Sequence, residues 1–184
     1  MSSDIYAVRF VLDGQIHEAR SERRTTTVLD YVREKLHRTG TKEGCAEGDC
    51  GACVVLVGDL AADRSRVDWK PVNSCMPMLP AMDGKALKTI ERLKRTAPDG
   101  SQTMHPAQEA MVQCHGSQCG FCTPGFVMSM AAFTENCPAS PTRQQVNNAL
   151  AGNLCRCTGY KPIVDATLKA CAAPAAARSL QDDK

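Results

Sequence analysis

The sequence predicts an α+β domain followed by an all-helical domain, each with its own cysteines. Three observations carry this reading. The first half shows a hairpin, a helical stretch and further short apolar runs. The second half shows four helix starts marked by proline. The cysteines, 11 of 184 residues, fall into two groups separated by the charged segment Lys94-Arg95-Thr96-Ala97-Pro98-Asp99-Gly100, which reads as a linker.

Residues 5–12 are rich in strand formers, and Asp13-Gly14 is a two-residue hairpin signal that returns the chain along Gln15 to Arg20. From Thr27 to Leu36 apolar residues stand at 28, 29, 31, 32 and 36, which is helical spacing. Val54 to Val57 reads as a short buried strand, with further strands at 66–69 and 85–90. In the second half Pro106, Pro124, Pro141 and Pro162 each open a segment of helical composition. Proline suits the first helical position because its missing N–H would lack a partner there. Thr123 is the expected cap of a helix at 124–135. Thr142 and Gln145 can form a capping box, and Gly152 can end that helix. Four helices of about 10–12 residues make a small bundle. The expected division is 1–93, a linker at 94–100, 101–172, and a tail or linker at 173–184.

Hydrophobic residues make up 43% and charged residues 23%, which is globular composition and excludes a disordered chain. Aromatics are only 4%, so the core must rest on aliphatic side chains and methionine. The formal charge is +2 with no basic stripe, so no nucleic-acid partner is expected. No apolar run reaches membrane-spanning length. The first 20 residues carry Asp4, Arg9, Asp13 and Glu18 and no apolar signal region. A cytoplasmic location is therefore expected, where an odd number of thiols argues for metal ligation over a disulfide framework.

Cys45-x4-Cys50-x2-Cys53, with Cys75 from a later element, has the plant-type [2Fe–2S] ferredoxin spacing. Three thiolates must converge on one inorganic core from a single loop. Gly44, Gly48 and Gly51 let that loop wrap tightly and turn backbone N–H groups toward sulfur. Zinc prefers paired short spacings and fits this pattern less well.

The second group contains a decoy. Cys114-x4-Cys119-x2-Cys122 repeats the first spacing and would take Cys137 as a fourth ligand. However, Cys114 sits at a helix end, and that choice leaves Cys155 and Cys157 without a role. Pairing Cys119-Gly120-Phe121-Cys122 with Cys155-Arg156-Cys157 sets each pair before a helix N-terminus, where N–H donors and the dipole favour an anionic group. On spacing alone this set could hold iron–sulfur or zinc. His37, His105 and His115 are read as surface or helix-end groups. Met76, Met78 and Met82 are read as packing around the first site.

Three longer stretches resemble one family. Thr41 to Cys53, Gly116 to Gly125 and Gly152 to Tyr160 are similar to the cluster motifs of the xanthine oxidase family of molybdenum hydroxylases. The likeness runs from residue 5 to about residue 171. It implies a β-grasp plant-type [2Fe–2S] ferredoxin domain followed by a four-helix [2Fe–2S] domain. It implies Cys45, Cys50, Cys53 and Cys75 as ligands of one cluster and Cys119, Cys122, Cys155 and Cys157 as ligands of the other, with Cys114 and Cys137 ordinary thiols. Gln118 and Cys157 match positions that approach the pterin. The implied role is electron transfer from a molybdopterin centre through both clusters to FAD. Molybdopterin and FAD would then sit on a large subunit and a flavin subunit or domain of a hetero-oligomer, which could itself dimerise, or on a removed segment of this chain. The first loop looks most like bacterial xanthine dehydrogenases, while aldehyde, carbon monoxide and N-heterocycle hydroxylases share the framework. The alternative of another class is a zinc-binding interaction module.

Overall fold

The computed structural model describes residues 7–20, 22–96, 99–138 and 140–181. Strands β1 (Ala7–Leu12) and β2 (Gln15–Arg20) pair antiparallel, with Leu12 opposite Gln15. Asp13 and Gly14 take positive φ of 50° and 85°, the twist that a two-residue hairpin requires. Ile5 and Tyr6 of the expected strand lie outside the described residues. Three further strands, β3 (Val54–Leu60), β4 (Val67–Asn73) and β5 (Ala86–Lys88), complete a sheet in the order β2-β1-β5-β3-β4. The β1–β5 pair is parallel and the others are antiparallel.

Helix α1 (Val28–Asp30) crosses this sheet. Thr27 Oγ1 accepts from Asp30 N at 3.0 Å, and Thr27 N donates to Asp30 Oδ2 at 3.4 Å. The regular helix expected through Leu36 opens into a wide turn over Tyr31–Lys35, closed by Leu36 N donating to Tyr31 O at 3.1 Å. The wider turn keeps both Val28 and Val32 at 0% exposure against Phe10, Val55, Val57 and Leu87. A sheet holding a crossing helix is the β-grasp arrangement.

Strand β3 explains why the apolar run beginning at Val54 shows no alternation. Val55 and Val57 face α1, whereas Val54 and Leu56 pack with Phe126 and Met130 of the helical half. A strand buried on both faces reads as a continuous apolar run. The core on the helical side of β3 is therefore built by both halves, and the core on its other side by the sheet half alone.

The expected linker forms a small ribbon of β6 (Arg95–Thr96) and β7 (Gln102–Thr103), with Ala97 and Pro98 outside the described residues. Four helices follow: α2 (Pro106–Gln113), α3 (Thr123–Asn136), α4 (Arg143–Leu150) and α5 (Lys161–Cys171). The Thr142/Gln145 capping box opens α4. His105 caps α2 and is 2% exposed, so it is a buried helix-end group and not a surface one. The cap of α3 is Cys122, one residue before the expected Thr123, whose hydroxyl bonds Ser117 Oγ at 2.7 Å instead.

The segment read as a tail packs against the body as far as residue 181. Helix α6 (Ala175–Arg178) leads to Leu180, which is 2% exposed. The Gln181 amide bonds both Val67 N and Val67 O at 3.0 Å, and Lys88 Nζ donates to Leu180 O at 2.6 Å. These contacts stitch the β4 edge to the bundle. Among the described residues no helix is long and apolar enough to cross a membrane.

Candidate functional site

The first site is a loop that turns inward on itself. Ala46, Gly48 and Gly51 have φ of 57°, 83° and 70°, which rotates successive N–H groups toward one sulfur. Cys45 Sγ accepts from Cys50 N at 3.3 Å and Asp49 N at 3.4 Å, and Cys45 N donates to Cys50 Sγ at 3.4 Å. Cys53 and Cys75 are buried, with their sulfurs 3.5 Å apart. Asn73 Nδ2 fastens the loop through Gly48 O at 2.6 Å, and Ser74 Oγ holds Cys53 O at 2.7 Å. Of the methionines expected to pack around this site, Met82 belongs instead to the core under the sheet, while Met76, though exposed, lies against Gly48 of the loop; Met78 is exposed.

The second site gathers two loops that end in helices. Cys122 sits at the N-terminus of α3, and Tyr160 precedes α5 with φ of 66°. Neither helix has a side-chain cap; at α5 the Lys161 and Ile163 N–H groups go to Gly159 O and Tyr160 O at 2.8 and 3.0 Å instead. Cys122 lies beside Cys155, and Cys157 beside Cys119. Cys155 also receives Thr158 Oγ1 at 3.3 Å, while its own N–H reaches Tyr160 Oη at 3.0 Å. Cys119, Cys157 and Gln118 are exposed on the outer face of this site.

The thiols within each site pull against one another. Backbone N–H groups of Glu47, Cys50 and Asp49 bring Cys45 down to about 7. Burial, with Cys53 beside it, pushes Cys75 up to about 11. Burial and then Cys155 push Cys122 up to about 12. Burial would raise Cys155 too, but the hydroxyl and N–H of Thr158 and the N–H of Cys157 outweigh it and lower the thiol. Cys119 beside it raises Cys157. Four thiolates cannot coexist so close without a cationic centre between them, and a bound metal removes those protons outright.

The pairing also bears on what that centre is. Among the described residues no three Cys, His, Asp or Glu side chains converge tightly enough to hold one ion. Within each set the sulfurs neighbour one another: Cys45 beside Cys50, Cys53 3.5 Å from Cys75, Cys119 beside Cys157 and Cys122 beside Cys155, with Cys45 also acting on Cys75 and Cys119 on Cys122. Four cysteines in each set is the ligand count of one [2Fe–2S] core.

The structure does not bring the decoy cysteines to either site. Cys114 ends α2 with its N–H on Ala110 O and packs into the core, and Cys137 lies at the far end of α3.

The contact between the two sites was missed in the sequence. Leu154 N donates to Cys50 O at 3.0 Å, and the buried Asn153 donates through Nδ2 to Gly51 O at 3.0 Å. A Cβ on Gly125 would stand 2.1 Å from Gly51 O. One hydrogen bond therefore links a residue of the first site to the neighbour of Cys155. Asn153 and Leu154 directly precede Cys155 in sequence, and that adjacency was the available signal.

Comparison with known proteins accords with this geometry. Residues 10–77 match a 2Fe-2S iron-sulfur cluster binding domain, and residues 89–168 match a [2Fe-2S] binding domain. The solved quinoline 2-oxidoreductase of Pseudomonas putida 86 superposes with a TM-score of 0.78 at 30% identity, over 92% of this chain and 95% of that one. The chain belongs to the xanthine oxidase family of molybdenum hydroxylases. Within that family, the xanthine dehydrogenase of Blastobotrys adeninivorans is 48% identical over 76% of this chain, and the aldehyde oxidase of Homo sapiens is 45% identical over 79%. The chain spans about a tenth of the length of these curated relatives. It carries the family's two [2Fe–2S] domains. Iron analysis is expected to give about four irons per chain, with two distinguishable EPR signals after reduction. Two irons and one signal would refute a two-cluster chain.

Proposed function

We propose that this chain is the electron-transfer part of a cytoplasmic molybdenum hydroxylase acting on a purine such as xanthine. Cys45, Cys50, Cys53 and Cys75 hold one cluster, and Cys119, Cys122, Cys155 and Cys157 hold the other. When bound, the clusters act as one-electron carriers between molybdopterin and FAD on partner subunits or domains, the Cys119 site being nearer the pterin and the Cys45 site nearer the flavin.

The chain's own residues hold the two sites at fixed separation. The observation that carries the reading is the Leu154 N–H to Cys50 O hydrogen bond, which joins the two ligand loops backbone to backbone at 3.0 Å. Packing around Phe126 and Leu56 excludes water behind the loops. On the outer face Gln118 and Cys157 remain exposed, and in this reading they meet a partner's pterin. Gln118 is a neutral donor and acceptor and can bond a pterin edge without adding charge.

The purine assignment is supported by the 48% identity to a xanthine dehydrogenase. The 45% identity to an aldehyde oxidase supports the second reading, an aldehyde as substrate. Mixing the anaerobic assembled enzyme with hypoxanthine, xanthine or an aromatic aldehyde separates them. Faster bleaching of the cluster absorbance by the purines supports the first reading, and faster bleaching by the aldehyde replaces it with the second.

Gln118→Ala in that enzyme is expected to slow cluster reduction by substrate and to loosen molybdopterin. The cost is about 1–3 kcal/mol, from a partner group left unpaired at a buried contact. Molybdenum retention after gel filtration is one check. Rapid mixing is the other, because flavin reduction by the Cys45 site should be unchanged.

A further inference from the structure

One side chain of the helical half reaches across to the first site. Phe121 stands between Cys119 and Cys122 in the loop that leads into α3. Gly120 turns that loop with φ of 84°, and the Ser117–Thr123 hydroxyl bond at 2.7 Å closes it. The first turn of α3 meets the Cys45 loop backbone to backbone, since a Cβ on Gly125 would stand 2.1 Å from Gly51 O. That approach brings Phe121 beside Gly44. A Cβ on Gly44 would stand 2.7 Å from Cys50 Sγ and 3.8 Å from Phe121 Cε1. The thiol and the ring edge therefore lie on the same side of Gly44, and this close approach, not a positive φ, is what calls for glycine there. Of the four phenylalanines Phe121 alone is exposed, at 49%, so its ring is not core packing. Cys50 is half-buried, and a phenyl edge beside its sulfur narrows the path of water to it.

We propose that Phe121 is a positioning residue of the first site: carried by the loop of the second site, its ring shields the Cys50 sulfur from water and holds down the reduction potential of the cluster at Cys45, Cys50, Cys53 and Cys75. The proposal rests on the reading of those four cysteines as the ligands of one cluster. An iron–sulfur core with four thiolates is an anion, and the electron it accepts makes it more negative. Water near a ligand sulfur stabilises the added charge, and an apolar wall withholds that help. Removing the ring should therefore make this cluster easier to reduce. The same placement links the sites in one direction, because the loop that holds Cys119 and Cys122 also sets the surroundings of Cys50.

The test uses the full chain with both clusters loaded, titrated anaerobically with dithionite and followed by EPR. The signal that survives in Cys155→Ser belongs to the Cys45 site. Phe121→Ala is expected to raise the potential of that signal, changing its reduced-to-oxidised ratio about tenfold at a fixed solution potential, or about 59 mV for one electron. Pulsed EPR in deuterated water should show deeper deuterium modulation of the same signal, the direct mark of water at the cluster. Phe121→Leu keeps an apolar wall and should return most of the shift. A potential in Phe121→Ala equal to that of the unaltered chain overturns the proposal, and so does a shift confined to the other signal. Should Phe121→Ala lose the second cluster, Cys155→Ser is its match, because it lacks that cluster with the ring retained. A higher potential in Phe121→Ala than in Cys155→Ser then upholds the proposal, and equal potentials overturn it. An unaltered chain with no signal from the Cys45 site is a different failure, which overturns the ligand reading and the proposal together.

Discussion

Replacing Cys155 with serine is expected to remove one cluster and leave the other, so that iron falls by about half and one of two EPR signals disappears. Cys155 is buried at 8% exposure, faces Cys122, and receives the Thr158 hydroxyl. Serine keeps the size of the side chain but replaces a soft thiolate with a hydroxyl that stays protonated near neutral pH. The remaining three thiols fall short of the four that one [2Fe–2S] core takes. Metal binding is also folding energy, so the helical half should melt earlier than the sheet half. Cys114→Ser is the matched control and should keep all its iron, because Cys114 ends α2 and packs into the core. Iron loss in Cys114→Ser with retention in Cys155→Ser would instead support the repeated Cys114-x4-Cys119-x2-Cys122 triple as the ligand set.

The features legible in the sequence were those set by neighbouring residues. Asp13-Gly14 dictated its hairpin because the two positive φ angles are a local demand. Thr142 and Gln145 found each other across one turn for the same reason. The cysteine sets were read from spacing, and the structure sets Cys45 beside Cys50, Cys53 3.5 Å from Cys75, Cys122 beside Cys155 and Cys119 beside Cys157. Features that depend on distant partners were not legible. The displaced cap at Cys122 arises because Ser117, six residues away, takes the Thr123 hydroxyl. Residues 173–184 read as a tail or linker because nothing local says that Leu180 fills the core or that Gln181 pairs with Val67. The two-sided burial of β3 needs both halves in place before it can be seen.

Gly125→Ala is the substitution expected to disturb the union of the two sites most. Gly125 lies in the first turn of α3, and a Cβ there would stand 2.1 Å from Gly51 O, 3.1 Å from Gly51 C and 3.2 Å from Ala52 C. All three are backbone atoms, so no rotamer change can relieve the clash. Helix α3 must retreat from the Cys45 loop and carry Cys122 with it. The Asn153 to Gly51 and Leu154 to Cys50 hydrogen bonds lengthen as a result. Overpacking of this kind costs about 1–3 kcal/mol, and each kcal/mol lowers the Tm of a chain this size by about 2–4 °C. Both clusters should still be present by iron content, because no ligand has changed. Magnetic coupling between the reduced centres should weaken, and electron exchange between them should slow. Gly152→Ala is the control, since a Cβ there meets nothing within 4 Å. Equal Tm and equal coupling in the two variants would mean that the Gly51–Gly125 approach does not set the spacing of the centres. A drop confined to Gly125→Ala would place that spacing in the backbone contact between the loops, and not in the cysteines alone.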